Sequence, residues 1–136
     1  MTSLAKALLL GASLIAAPVV AAPRDTPEQQ LQKLLEGRVA GEPVDCINYS
    51  AIGSSSSVII EGKAIVYRIG SKLYVNEPRS GAESLDDDDI LVTKIYGSQL
   101  CSIDTINLVD RASRFPRGFV VLGKFVPYSR VKKPAS

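Results

Sequence analysis

The stretch "AIVYRIGSKLYVNE", residues 64–77, decides the fold. Ile65, Tyr67 and Ile69 alternate with Ala64, Val66 and Arg68, and beyond Gly70-Ser71 the residues Leu73 and Val75 share a face. A period of two on both sides of a two-residue, glycine-containing break predicts a tight antiparallel hairpin. Outward from it the chain keeps the same short-strand character. "VDCINY" (44–49) precedes the serine-rich loop "SAIGSSSS" (50–57), and "VIIEGKAIVYRI" (58–69) runs into the hairpin. After the loop "EPRSGAESLDDDD" (77–89) come "ILVTKIY" (90–96), "LCSIDTINLVD" (100–110), the turn "RASRFPRG" (111–118) and "FVVLGKFVPY" (119–128), where Gly123 suggests a bulge. Turn signals at this spacing predict six or seven strands in a small antiparallel sheet, sandwich or barrel.

One segment has helical chemistry. In "TPEQQLQKLLEGR" (26–38), Thr26 is an N-cap, Pro27 occupies the first helical position, and Gln29 completes a capping box. Leu31, Leu34 and Leu35 make one apolar stripe, and Gly37 ends the helix. The expected three-turn helix docks on the sheet, so the fold class is mainly β (α+β) with an N-terminal helix.

Residues 1–21 read as a signal peptide: Lys6, the apolar core "ALLLGASLIAAPVV", then small residues, with cleavage after Ala21 and Val19 at −3. The apolar stretch is short for a membrane span, so the mature chain is expected to carry no transmembrane anchor and to be periplasmic or secreted. The remaining organisation is a leader and helix at 22–43, a β-rich domain at 44–129 and a basic tail at 130–136. Export places Cys46 and Cys101 in a disulfide-permissive compartment, and two cysteines allow one intramolecular bridge, closing a loop of about 55 residues.

Composition removes many functions. With no histidine, Ser-His-Asp and Cys-His nucleophiles, His-ligated zinc and an imidazole base are excluded. There is no P-loop or dinucleotide fingerprint. Without tryptophan, and with basic residues concentrated in turns and tail, nucleic acid is not an expected partner. Charge is nonetheless uneven. Glu77 to Asp89 holds six acids and one arginine, whereas Arg111 to the C-terminus holds seven basic residues and no acid.

Two clusters are candidate sites. Asp86, Asp87, Asp88 and Asp89 could hold Ca2+ or supply paired carboxylates for hydrolysis, with Asp104 or Asp110 across a sheet. An EF-hand is ruled out, because a loop begun at Asp86 puts Ile90, Leu91 and Gly97 at its fifth, sixth and twelfth positions. The blander reading is a charged turn that guards "ILVTKIY" from edge pairing. Arg111, Arg114 and Arg117 bracket a turn and form a candidate anion- or partner-binding patch.

At "PVDCINYSAI", "KLYVNEPRSG", "QLCSIDTINLVD" and "LGKFVPY" the chain resembles an uncharacterised family of small exported bacterial proteins, a domain of unknown function, over most of residues 43–129. Its members often carry two further cysteines, after the "YVN" segment and before "LGKF". The corresponding stretches here, "EPRSGAES" and "GFVVLGKF", have none. The resemblance implies paired loss of one bridge with Cys46–Cys101 retained, and brings no activity or catalytic residues. The resulting expectation is a non-enzymatic envelope protein that binds an envelope protein or an anionic polymer and needs no cofactor. The alternatives are a calcium-binding or carboxylate-dependent hydrolase centred on Asp86–Asp89, or an inhibitor of a periplasmic hydrolase.

Overall fold

The computed structural model describes residues 11–52 and 57–132. The first half of the signal segment with Lys6, the serine tip at 53–56 and the last four tail residues lie outside the described residues. Helix α1 (Pro27–Leu34) starts with the expected chemistry: the Thr26 hydroxyl accepts from the Gln29 N–H at 3.2 Å, and the Gln29 side chain accepts from the Thr26 N–H at 2.9 Å. At eight residues it is just over two turns, shorter than its apolar pattern suggests, because the chain leaves the helix at Leu35 and turns through Gly37.

Ten strands follow among the described residues: β1 (Arg38–Ala40), β2 (Cys46–Asn48), β3 (Ser57–Ile60), β4 (Ala64–Ile69), β5 (Lys72–Asn76), β6 (Asp89–Thr93), β7 (Gln99–Cys101), β8 (Thr105–Asp110), β9 (Pro116–Val121) and β10 (Phe125–Arg130). The excess over six or seven has local causes. "VIIEGKAIVYRI" folds back on itself at Glu61–Lys63, where the Lys63 N–H bonds the Ile60 carbonyl at 3.0 Å. "LCSIDTINLVD" breaks at Asp104, whose carboxylate accepts from the Cys101 N–H at 2.7 Å. Gly123 is a corner between two strands rather than a bulge within one. The leader contributes β1, and the tail's first residue, Arg130, pairs with Arg38.

The hairpin forms as expected: Ile69 faces Lys72 across Gly70-Ser71, with Gly70 at φ 59°, the left-handed conformation a glycine adopts without penalty. It lies within a five-stranded antiparallel sheet of order β1-β10-β5-β4-β3. A three-stranded sheet, β6-β8-β9, packs on one of its faces. That shared core joins Ile65, Tyr67 and Phe125 of the first sheet to Ile106, Leu108 and Val120 of the second. Tyr67 and Phe125 meet edge-on, with centroids 6.0 Å apart.

The alternate residues Ala64, Val66, Leu73 and Val75 face the other way, against Leu31 and Leu34 of α1 and Leu35 just beyond it. This is why β4 is buried on both faces, whereas a sheet wet on one side would show alternating exposure. A two-stranded ribbon, β2-β7, places Cys46 directly opposite Cys101, and the two form a disulfide with Cα atoms 4.0 Å apart.

Candidate functional site: an aspartate–arginine cluster at an open seam

The two main sheets are not joined on one side. β3 ends the five-stranded sheet and β6 ends the three-stranded one, and neither pairs with the other. Between them runs a groove of about 680 Å³ lined by Ser57, Val58 and Ile59 of β3, Asp89, Ile90 and Leu91 of β6, and by Asp87, Arg111 and Gln30. In a strand, alternate backbone N–H and C=O groups point away from the paired neighbour, so among the described residues each wall is a strand edge without a strand partner.

The aspartate run is not one solvated turn. Asp86 organises it: its side chain accepts from the Asp88 N–H at 3.0 Å, and its carbonyl accepts from the Asp89 N–H at 3.0 Å. Asp87 and Asp88 are exposed at the turn, but Asp89 is the first residue of β6 and is 4% exposed. The strand's period of two explains this, because Asp89 and Leu91 share the face turned toward the core. One carboxylate oxygen, Oδ1, lies 3.3 Å from the Arg117 Nε. The other, Oδ2, is buried with no hydrogen-bond partner among the described residues.

Arg117 reaches this position through a register change. Leu108 pairs with Gly118 and Val109 with Pro116, which leaves Arg117 as the extra residue of a bulge in β9. A bulge re-aims its side chain, and here the guanidinium spans Asp89 and Asp86, the latter at 3.4 Å. Arg111 pairs with Asp88 at 3.4 Å, with both groups well exposed. Arg114, at the turn's tip with φ 63°, makes no ion pair among the described residues. The two candidate clusters are thus brought together: Arg111 and Arg117 pair with Asp88, Asp86 and Asp89, and Asp87 has no ion pair among the described residues.

Asp110 lies directly opposite Asp89 across β6 and β8. Hydrogen bonds from the Ser113 N–H (2.6 Å) and hydroxyl (2.8 Å) close the arginine turn on Asp110 and hold its carboxyl below the usual range. Asp89 is pushed the other way: burial raises its proton affinity, Asp86 and Asp110 add to the rise, and Arg117 offsets part of it. Asp104 is spent on the β7–β8 turn. Among the described residues no group of three or more His, Cys, Asp or Glu converges as a metal site.

The raised affinity of Asp89 has a measurable sign. An acid whose folded pKa exceeds its unfolded value of about 3.9 contributes less stability as pH rises through that window. Asp89→Asn is therefore expected to raise stability at pH 7 by about 1 kcal/mol, since Arg117 keeps Asp86 as a partner and no charge is left stranded. Urea titrations at pH 4 and pH 7 check this. A variant clearly weaker than wild type at pH 7 would mean that the Arg117 pair outweighs desolvation.

No family model, curated protein or solved structure matches this chain. Fold and site alone define its class: a small, disulfide-bonded, mainly β protein whose N-terminal helix covers one sheet and whose two main sheets stay open along one side. The disulfide is compatible with export. No helix among the described residues is long and apolar enough to cross a membrane.

Proposed function

We propose that this is an exported, non-enzymatic envelope protein that acts by binding a partner protein along the seam between β3 and β6. The observation that carries the reading is Asp89: a carboxylate buried beside a groove walled by two terminal strands, with one oxygen unpartnered among the described residues. Free edges are normally blunted or covered, and charges held where the fold disfavours them concentrate at functional sites. The disulfide is compatible with that compartment. Intramolecular pairing of Arg111 and Arg117 weakens the case for an anionic polymer, because it leaves no concentrated basic face at this turn.

The Asp89–Asp110 opposition favours a second reading, carboxylate-dependent hydrolysis, because two neighbouring carboxylates with oppositely shifted proton affinities are a general acid–base arrangement. Binding is the stronger reading: both carboxylates would have to face the substrate, and of the two only Asp89 lines the groove.

The test is capture from envelope extract by the oxidised protein, compared with a Ser57→Trp, Val58→Trp variant that fills the groove from exposed positions. A partner retained by wild type at high salt and lost with the filled groove supports the reading. Equal capture by both proteins would overturn it.

A further inference from the structure

We infer that the seam takes an extended segment of the partner protein, laid between β3 and β6, with a lysine or arginine side chain set against Asp87 and Asp89. The inference rests on the seam being the binding surface and specifies what enters it. Three observations point to an extended chain with a cation.

The groove is bounded on both sides by strand edges, β3 in one sheet and β6 in the other. Their outward backbone groups repeat every second residue. An extended polypeptide offers matching donors and acceptors on both of its own edges, so it can satisfy two walls at once, which a helix or a sugar chain cannot. The lining is also mixed: Val58, Ile59, Ile90 and Leu91 provide apolar surface beside the polar Ser57, Asp87 and Asp89.

Charge then selects among extended chains. The groove's acids are Asp87 and Asp89, and its one cation, Arg111, is tied to Asp88. Asp89 Oδ2 is the only buried carboxylate oxygen without a partner among the described residues. A basic side chain arriving in the groove would meet the exposed Asp87 directly and would reach Oδ2, which is closed to solvent, on rotation of the Asp89 side chain, whose other oxygen stays with Arg117. The competing account is that Asp89 is an inward charge that keeps the β6 edge from pairing with anything. That account explains the charge but not the groove beside it.

The experiment uses the purified oxidised protein and blocked seven-residue peptides that alternate valine and threonine. Lysine stands at one of two adjacent central positions, so that it faces either side of the strand, and glutamine replaces it in the controls. Amide shifts and hydrogen exchange are followed by NMR. The lysine peptide is expected to shift and protect amides of β3 and β6 and to bind roughly tenfold more tightly than its glutamine analogue. Asp89→Asn and, separately, the exposed Asp87→Asn are expected to reduce that preference.

Equal binding of the lysine and glutamine peptides overturns the cationic specificity. Undisturbed seam amides with every peptide overturn the extended-chain occupant, even where the filled-groove variant still loses its partner. Concentration-dependent protection of the same amides without peptide overturns it in favour of a second copy of this chain. The underlying reading fails separately, when filling the groove leaves capture unchanged.

Discussion

A Cys46→Ser, Cys101→Ser variant is expected to unfold about 4 kcal/mol more easily than the oxidised protein. The bridge joins residues 55 apart, and the chain-entropy model assigns roughly that value to a closed loop of this length. Small domains have only about 5–15 kcal/mol in total, so the loss removes a large fraction of the stability.

The position of the bridge sharpens the expectation. It staples a ribbon of two three-residue strands, and a two-stranded ribbon is marginal by itself. That ribbon carries Ile47 and Leu100, both buried in the core shared by the two main sheets. Its opening therefore exposes the main core rather than a surface flap. Urea denaturation of oxidised wild type, reduced wild type and the double serine variant checks this, with the last two expected to coincide at the lower midpoint. A reduced protein whose midpoint equals that of the oxidised one would show that the ribbon holds without its bond.

The parts of this fold that could be read from the sequence are those set by neighbours in the chain. The hairpin follows from a period of two around Gly70-Ser71, and the helix start follows from Thr26, Pro27 and Gln29. Each is decided within about a dozen residues. What was hidden depends on residues far apart. "FVVLGKFVPY" reads as one strand because nothing local reveals that β9 and β10 belong to different sheets. The bulge that turns Arg117 toward Asp86 and Asp89 is a register fact about β8 and β9, invisible in either strand alone.

Asp89 was legible only in part. Counting back by two from Leu91 puts it on the inward face, yet four aspartates in a row read as solvent-facing because burial of such a charge is costly. The opposite charges of the two loops, and that such halves can neutralise each other within a fold, were visible; which residues pair was not, since it needs β6, β8 and β9 side by side.

The largest effect of a single substitution is expected at Asn76. This asparagine is fully buried at the end of β5, where it bonds the backbone of Gly123 twice. Its Nδ2 donates to the Gly123 carbonyl at 2.7 Å, and its Oδ1 accepts from the Gly123 N–H at 3.0 Å. Gly123 stands at the corner where the chain leaves one sheet for the other, so these bonds hold the two sheets in relation. The corner admits no side chain, because a Cβ at 123 would lie 2.4 Å from the Glu77 carbonyl oxygen.

Asn76→Ala leaves the part-buried N–H and C=O of Gly123 without their side-chain partner and is expected to cost about 2–4 kcal/mol. Asn76→Asp distinguishes hydrogen bonding from mere packing. At pH 7 its carboxylate oxygen would face the Gly123 carbonyl and carry a buried charge, a cost of about 4 kcal/mol or more. A protonated carboxyl, by contrast, has one donor and one acceptor and can reproduce both bonds of the amide. The folded pKa of this aspartate must then lie above its unfolded value of about 3.9, so stability lost at neutral pH returns as pH falls through the folded pKa. Urea midpoints of wild type and Asn76→Asp should converge toward pH 4 and separate widely at pH 7. Midpoints that differ by the same amount at both pH values would assign Asn76 a packing role instead of a bonding one.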